Sequence, residues 1–387
     1  MQHRKNSIIR ACTAIIFVCV SLACATASAD RVALIGFAAR QTDAIVQSPR
    51  DAIEMAVTQA NELPDKTGEA ISFKLLVQDD QSNPNLAINI ANYFVKSHVS
   101  GVIGHWYTVT NLATAEIYAA AHIPQINFTS SSSQFTKLGY QTTFRIIGGT
   151  DELATSLAEA AVNTFHGQHI IVIGNDSSYS TALTEVITSE VAKRSQNVVQ
   201  SLTVSSQTSD FNTSLTVAME KHPDLIIFSA YVTQMESFMN TVKRLGIKSK
   251  ILFNDGATNL PLFDQDNNNV YAIEPGIRQD TCPRWKAFYQ QFQHRYGYMP
   301  NTYARNAYNA TAMLIEAIRK SNSTDAEKVT AHLHQMHYKG IAGEIAFSAE
   351  GALTNPTYTL YHAELNNWQP IKVFSADKKL AGGCPKD

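Results

Sequence analysis

Signature motifs of several enzyme classes are missing from this chain. It contains no G-x-S-x-G nucleophile elbow, no H-E-x-x-H zinc site, no P-loop and no G-x-G-x-x-G dinucleotide turn. An excess of basic residues is also missing, since the chain has 31 Lys and Arg residues and 33 Asp and Glu residues. Binding to nucleic acid by phosphate neutralisation is therefore not expected. The absences argue against an enzyme, and an exported α/β hydrolase is the third hypothesis, after two binding roles.

Long hydrophobic runs are absent except at the N-terminus. There, basic residues precede AIIFVCVSLACA, which is too short to span a bilayer comfortably, and ATASAD follows with a small-x-small cleavage site. We predict a signal peptide over 1–29 and a periplasmic protein that begins at Asp30. The leader holds three basic residues and no acidic one, so the mature net charge becomes −5. A competing interpretation treats Ser21–Cys24 as a lipoprotein box, with Cys24 carrying the lipid.

Cysteine is rare, and most of it belongs to the leader. Only Cys282 and Cys384 remain in the mature chain. In an oxidising compartment two leftover cysteines favour one disulfide, which here would close a loop of about 100 residues. Two unpaired thiols are the alternative, because sequence spacing does not measure the distance between them.

Metal-ligating clusters are absent as well. His332, His334 and His337 stand close together in HLHQMH, but residues two apart on a helix do not share a face. No Cys or His cluster has zinc spacing. We therefore expect no metal and no cofactor, and an exposed helix at HLHQMH.

Short apolar strands alternate with helical periodicity through most of the chain. RVALIGFA (31–38) predicts a strand, and 49–63 predicts a helix with Pro49 in its first turn. The alternation restarts after Gly149, so two α/β blocks follow each other, and the segment YTLYHAELNNWQPIKVF predicts antiparallel strands. Near-continuous apolar strands separated by helices are typical of parallel sheets covered on both faces. The fold class is α/β.

Loops that follow strands carry the polar side chains of interest. Ligands of open α/β sheets bind beyond the carboxyl ends of the strands. The loops at those positions are HWYTVTN, TSSSSQ, GNDSSYS, YVTQM and NDGATN, which are rich in hydroxyls and aromatic rings. Side chains of these types at the ends of the strands indicate binding of a small molecule.

The segment 101–154, GVIGHWYTVTNLATAEIYAAAHIPQINFTSSSSQFTKLGYQTTFRIIGGTDELA, resembles the periplasmic leucine/isoleucine/valine-binding proteins. Weaker similarity extends over 31–374. The resemblance implies a type I periplasmic-binding-protein fold, with two Rossmann-like lobes of parallel sheets joined by three crossovers. Lobe 1 would hold 30–148 plus 278–356, and lobe 2 would hold 149–277 plus 357–387. It also implies a receptor that delivers a solute to an ABC permease in the inner membrane.

The resemblance assigns the ligand α-carboxylate to hydroxyls and backbone N–H groups of two first-lobe loops. The matching residues are Thr108, Thr129, Ser130 and Ser131. Such donors beside a helix N-terminus form an anion site without arginine. Thr108 could also serve as the N-cap of the following helix. Trp106 and Tyr107 stand beside this loop where the family has smaller residues.

For the α-ammonium, the resemblance implies an acid with tyrosines on the other lobe. The matching residues are Asp255, Tyr179 and Tyr231, and Tyr303 matches an aromatic near the ligand side chain. A carboxylate beside an ammonium forms a charge-assisted pair. Asp255 could instead be a turn residue before Gly256, and the tyrosines could be ordinary interface aromatics.

Two binding roles remain open after these assignments. The first is transport of an amino acid, with a branched-chain or other aliphatic amino acid as the first candidate. The second is a sensor of the same fold that recognises an amide, a urea-like solute or an aromatic acid. Both roles need an exported two-lobed binder, so the sequence does not separate them.

Overall fold

Strands and helices alternate in the computed structural model, which describes residues 31–62, 71–194, 198–260, 269–277, 282–341, 343–365 and 367–376. The predicted leader, its Cys24 and the C-terminal Cys384 lie outside these residues, so the predictions made for them stay predictions. Among the helices in the described ranges, none has the length and apolar character needed to cross a membrane.

The strands form two large sheets and one small two-stranded sheet. In chain order they are β1 Arg31–Ala39, β2 Ile71–Asp79, β3 Gly101–Gly104, β4 Gln125–Asn127, β5 Thr143–Arg145, β6 His169–Asn175, β7 Val198–Val204, β8 Leu225–Phe228, β9 Lys250–Phe253, β10 Val270–Pro275, β11 Tyr338–Gly340, β12 Gly343–Ile345, β13 Thr357–Glu364 and β14 Asn367–Ser375.

Helices connect most of these strands. They are α1 Ala44–Glu62, α2 Pro84–Lys96, α3 Thr108–Ala120, α4 Ser133–Thr136, α5 Thr150–Glu159, α6 Ser178–Arg194, α7 Asn212–Met219, α8 Val232–Arg244, α9 Pro283–Tyr296, α10 Thr302–Lys320 and α11 Ala326–His334. A π-helical turn over Ala160–Thr164 continues α5, and a 3₁₀ turn over Ala257–Asn259 follows β9.

The first sheet is parallel throughout, in the order β2-β1-β3-β4-β5. The second has the order β14-β13-β10-β9-β8-β6-β7, with β13 and β14 antiparallel at one edge as the sequence predicts. Helices cover both faces of the central strands. Ile35, Phe37 and Ala38 of β1 are therefore all fully buried, although neighbouring side chains of a strand point to opposite faces.

The chain passes between the two sheets three times. It leaves the first sheet after β5 and returns to it after β10. The return is seen in α10, whose Ala307 and Leu314 share a hydrophobic core with Phe37 and Ile103 of the first sheet. It then leaves again to add β13 and β14 beside β10. We call 146–149, 276–277 and 346–356 the crossover segments. The lobe limits given above remain a prediction, while the three-crossover arrangement is as expected.

Helix α1 begins earlier than predicted. It starts at Ala44, so Pro49 lies inside the helix and not in its first turn. Proline has no N–H, which leaves the carbonyl of Ile45 without its helical donor. The side chain of Asn301 supplies that donor, with its Nδ2 2.8 Å from the Ile45 oxygen. A partner distant in sequence therefore makes an interior proline tolerable.

Other sequence expectations have mixed outcomes. Strand β10 was not foreseen, and α3 starts at Thr108, inside the stretch expected to be a loop. His332 and His334 lie in α11, where the His334 ring donates to the carbonyl of Gln141 at 2.7 Å. No group of three potential metal ligands occurs in the described part of the chain. Cys282 is disulfide-bonded.

Candidate ligand-binding cleft

A cleft lies at the carboxyl ends of the strands, between loops of the first and the second sheet. Nine of the ten residues predicted for a ligand site line it. They are Trp106, Tyr107, Thr108, Thr129, Ser130, Tyr179, Tyr231, Asp255 and Tyr303. Because the carboxyl ends of parallel strands lie at one edge of a sheet, side chains separated by almost 200 residues of chain meet in this cleft.

Hydroxyl groups form the wall that belongs to the first sheet. The Oγ1 of Thr108 and the Oγ of Ser130 are 2.7 Å apart, and both residues are buried. One hydroxyl donates to the other, which leaves one proton of the pair for a ligand. Thr129 differs, because its hydroxyl already donates to the Trp106 carbonyl at 2.7 Å. In this arrangement its hydroxyl proton is therefore not available to a ligand.

The N-terminus of α3 opens onto the same wall. Tyr107 occupies the N-cap position and Thr108 is the first helical residue, so Thr108 is not the N-cap that the sequence allowed. No side chain caps the helix. The first N–H groups of α3 therefore lack a side-chain acceptor, and the helix dipole favours a negative charge beside them.

A buried polar chain holds this loop in place. His105 lies between the carboxylate of Asp80, 2.8 Å from its Nδ1, and the hydroxyl of Tyr118, 3.2 Å from its Nε2. All three residues are fully buried. Asn111 adds two hydrogen bonds from its Nδ2, to the carbonyls of His105 and Tyr107. These contacts preorganise the residues on either side of Trp106.

An acidic group lies on the wall that belongs to the second sheet. The hydroxyl of Tyr179 donates to the Oδ1 of Asp255 at 2.9 Å, and Asn254 donates to that same hydroxyl at 2.7 Å. Burial raises the pKa of Asp255, while hydrogen bonds from Tyr179 and Tyr303 oppose the rise. No Lys or Arg of the described residues forms an ion pair with Asp255, so its charge is free to meet a cationic ligand group.

A second carboxylate supports the Asp255 loop from behind. The Oε1 of Glu274 accepts from the backbone N–H of Gly256 at 2.9 Å, and from the N–H and hydroxyl of Thr258 at 3.0 and 2.9 Å. Burial, and next the charge of Asp255, raise the pKa of Glu274 to about 7. Glu274 is only 3% exposed and does not line the cleft.

Aromatic rings form the remaining walls. Trp106 packs against Tyr303 with ring centroids 5.1 Å apart. Tyr107, from the first sheet, meets Tyr231, from the second, edge to face at 5.4 Å, and Tyr231 stacks on Tyr179 at 6.0 Å. The two halves of the molecule are therefore in contact across the cleft.

Comparison with known proteins agrees with this geometry. The family model for the periplasmic binding protein matches residues 38–367. The chain belongs to the periplasmic binding protein family. Members of this family bind substrates and are not enzymes.

Relatives of this periplasmic binding protein include Leu/Ile/Val-binding protein homolog 1 of Brucella suis biovar 1 (strain 1330). The two are 21% identical over 318 residues, which cover 80% of this chain and 84% of the relative. The resemblance stated from the sequence is thereby confirmed.

Solved structures confirm the type I fold. The leucine binding protein LivK of Thermotoga maritima MSB8 matches with a TM-score of 0.79 and 20% identity, over 89% of this chain and 99% of that one. A solute binding protein from Rhodopseudomonas palustris BisB5, in complex with 3,4-dihydroxy benzoic acid, matches with a TM-score of 0.80 and 15% identity, over 90% and 98%.

Ser131 is the one predicted site residue of the binding protein that does not line the cleft. Its carbonyl accepts from both the backbone N–H and the hydroxyl of Thr150, at 2.6 and 2.9 Å. These bonds tie Ser131 to the start of α5, beyond the first crossover segment. Its own hydroxyl is buried without a partner in the described part of the chain.

Five cleft residues of the binding protein were not among the predicted ligand contacts. They are Ile45, Ala230, Val232, Thr233 and Asn254. Four of them lie in or beside the loops YVTQM and NDGATN, close to Tyr231 or Asp255. Taking every residue of those loops as a candidate would have found them.

Proposed function

We propose that this protein is an exported receptor that binds a free amino acid in the cleft and delivers it to an ABC permease of the inner membrane. A branched-chain or other aliphatic amino acid is the first candidate ligand, because the Brucella relative is named for leucine, isoleucine and valine. The signal-like leader supports export.

One observation carries the amino-acid proposal. The cleft has an anion-favouring wall and an acidic wall that face the same space. The first combines the Thr108 and Ser130 hydroxyls with the uncapped N-terminus of α3, and the second presents Asp255 without a basic partner among the described residues. An α-carboxylate and an α-ammonium at the two ends of one ligand complement both walls.

Ligand binding is expected to favour the closed form. Contacts come from both sheets, so a ligand that touches both walls binds the closed arrangement more tightly than an open one. The closed form is then the species that docks on the permease.

An aromatic acid is the second candidate ligand. Five aromatic side chains line the cleft, namely Trp106, Tyr107, Tyr179, Tyr231 and Tyr303. A structural neighbour was solved with 3,4-dihydroxy benzoic acid. Such a ligand has a carboxylate and no ammonium, so it would use the hydroxyl wall alone.

Calorimetry distinguishes these candidates. Mature protein from Asp30, refolded to remove any carried-over ligand, is titrated with the twenty amino acids, several amides and 3,4-dihydroxybenzoic acid. Micromolar or tighter binding of one amino-acid class is the expected result. Binding of the aromatic acid alone would replace the first candidate by the second, and silence across the panel would contradict both.

A charge variant tests the role of Asp255. Asp255→Ala is expected to weaken amino-acid binding by roughly 2–5 kcal/mol, because the ammonium loses its charged partner. Asp255→Asn keeps the oxygen that accepts from Tyr179 and should also bind weakly. Asp210→Asn, at an exposed site on the same half, is the matched control and should bind normally. Unchanged affinity in both Asp255 variants would remove the ammonium assignment.

A further inference from the structure

A second cavity lies where the chain passes between the sheets. Its volume is about 90 Å³, well above the roughly 10–15 Å³ that one water requires. All three crossover segments contribute to its wall, through Gly148, Gly276 and Asn355 among others. Helix α10 closes it with Arg305, Asn306 and Asn309. It shares no lining residue with the ligand cleft.

Arg305 is a buried cation in this wall. Its side chain is 4% exposed, and its guanidinium carbon lies 4.2 Å from the ring centroid of Trp285. The Nη2 donates to the carbonyl of Pro275 at 2.8 Å and the Nε donates to the Oδ1 of Asn306 at 3.1 Å. Among the described residues no carboxylate forms an ion pair with it. A buried charge without a counter-charge is costly.

Two donors at this cavity lack an acceptor within the described ranges. The Nη1 of Arg305 makes no hydrogen bond there, and neither does the Nδ2 of Asn309, whose Oδ1 accepts from the backbone N–H of Ile341 at 3.0 Å. Asn309 is 5% exposed. Gly276 makes room for the guanidinium, since a Cβ at that position would lie 3.1 Å from both Nη atoms. Arg305 and Asn309, two buried residues four positions apart on α10, therefore both present donors at the cavity.

Two carboxylates are close enough to affect the charge balance. Burial lowers the pKa of Arg305, and Tyr289, Tyr361 and Glu274 offset part of that lowering. The Oε1 of Glu274 is already bonded to the Asp255 loop, and the two residues form no ion pair. Glu344 also lines the cavity, but its side chain is 57% exposed, is bonded to His337, and is screened by water. A positive charge thus remains inside.

We propose that the cavity at the crossover segments is a binding site for a small inorganic anion such as chloride, held by Arg305 and Asn309. The anion supplies the missing counter-charge and accepts from the free Nη1 and Nδ2 groups. Because the crossover segments form the other walls, an occupied site stabilises their present arrangement. The site acts on the hinge and not on the ligand in the cleft.

Trp285 provides a direct readout of this site. In a Trp106→Phe, Trp368→Phe background of the ligand-free mature protein, sodium chloride replaces sodium gluconate at constant ionic strength. We expect a saturable change in Trp285 fluorescence and a parallel rise in Tm, since an anion that binds only the folded state stabilises it. The absence of a saturable change would overturn the proposal.

Variants in α10 assign the response to its residues. Arg305→Gln should abolish it, while Arg319→Gln should retain it, because Arg319 belongs to the same helix and also meets a ring and a carbonyl, but lines a different cavity. Asn309→Asp keeps the oxygen that accepts from Ile341 and puts a repelling charge at the site. It should weaken chloride binding at least tenfold even if Arg305→Gln fails to fold. A response unchanged in Asn309→Asp would contradict the assignment.

Discussion

Glu274 shows how a residue that touches no ligand can shape the cleft. Its carboxylate binds three donors of the loop that carries Asp255, so it fixes the position of that loop. The same burial places two carboxylates in one region of low dielectric, where the charge of Asp255 adds to the cost of ionising Glu274. Loop rigidity is therefore obtained with a group that titrates near neutral pH.

The stability of the ligand-free protein should reflect this titration. The pKa of Glu274 rises from its ordinary 4.5 to about 7 on folding. The folded state then binds the proton more tightly, so the stabilisation that Glu274 adds is complete below about pH 4.5 and is lost as the pH rises through 7. Relative to Glu274→Gln, the wild-type free energy of unfolding should fall by roughly 3 kcal/mol from about pH 5 to about pH 8.

Urea unfolding across this pH range measures the difference. Glu116→Gln, at an exposed position of α3, is the control and should follow the wild-type curve. Parallel curves for wild type and Glu274→Gln would show that Glu274 does not titrate between the two limits.

Sequence reasoning places residues in the same cleft where position along the chain decides which of them meet. Tyr179 and Asp255 both follow parallel strands of the second sheet. Loops that follow such strands lie at the same edge, which is enough to place both residues in one cleft. Such reasoning does not identify the hydrogen-bond partners of those residues. The Thr129 hydroxyl donates to the Trp106 carbonyl. Glu274 lies in β10, a strand that is hard to recognise from the sequence because it contains this charged residue. Such pairings depend on three-dimensional packing that periodicity does not encode.

Helices α1 and α10 depend on each other through Asn301. Its Nδ2 compensates the interior Pro49 by donating to the Ile45 carbonyl, and its Oδ1 caps α10 by accepting from the Ala304 N–H at 3.0 Å. Its own N–H donates to the Ser48 hydroxyl at 3.0 Å. One side chain thus serves a helix interior and a helix terminus that lie about 250 residues apart.

Replacing Asn301 should therefore cost more than an ordinary N-cap. We expect Asn301→Ala to lower the free energy of unfolding by about 2–3 kcal/mol, because the partly buried carbonyl of Ile45 loses its donor in addition to the lost cap. Asn301→Asp keeps the cap acceptor, so its free energy of unfolding should lie between those of wild type and Asn301→Ala. Denaturant unfolding gives both values. A loss in Asn301→Ala no greater than in Asn301→Asp would show that the bond to Ile45 contributes nothing.

At the level of elements, the sequence predicts the alternation well and the boundaries less well. Strong apolar periodicity identifies β1, β2, β6 and most helices. Helix α1 was placed too late because an interior proline is normally excluded by its missing N–H, and the compensating Asn301 is remote in sequence. The short β10 was missed because VYAIEP combines a proline and a buried acid, both of which oppose a strand assignment.

On the scale of the whole molecule, aromatic rings join the two halves across the cleft. The Tyr107–Tyr231 contact is edge to face, a geometry worth about 0.5–1.5 kcal/mol. An equilibrium between open and closed forms responds to energies of this size. The ring contact therefore favours the closed arrangement by an energy of this size.

Removing one ring should shift that equilibrium. In Tyr231→Ala the closed form should become about two- to tenfold less populated without ligand. Small-angle X-ray scattering should then give a larger radius of gyration than for wild type, and saturating ligand should reduce the difference. Tyr93→Ala, on the exposed side of α2, should scatter like wild type. Equal radii for all three proteins would mean that the ring contact does not govern closure.

Strand β10 pairs along one edge with β13, which is synthesised much later in the chain. Residues 271–275 pair with β13, so this edge stays bare until the chain has been made through residue 362. A message cut short after β12 would yield the first sheet with its helices and a second sheet whose open edge invites pairing with other chains. Synthesis must therefore pass β13 before the chain itself can cover this edge and prevent pairing with other chains.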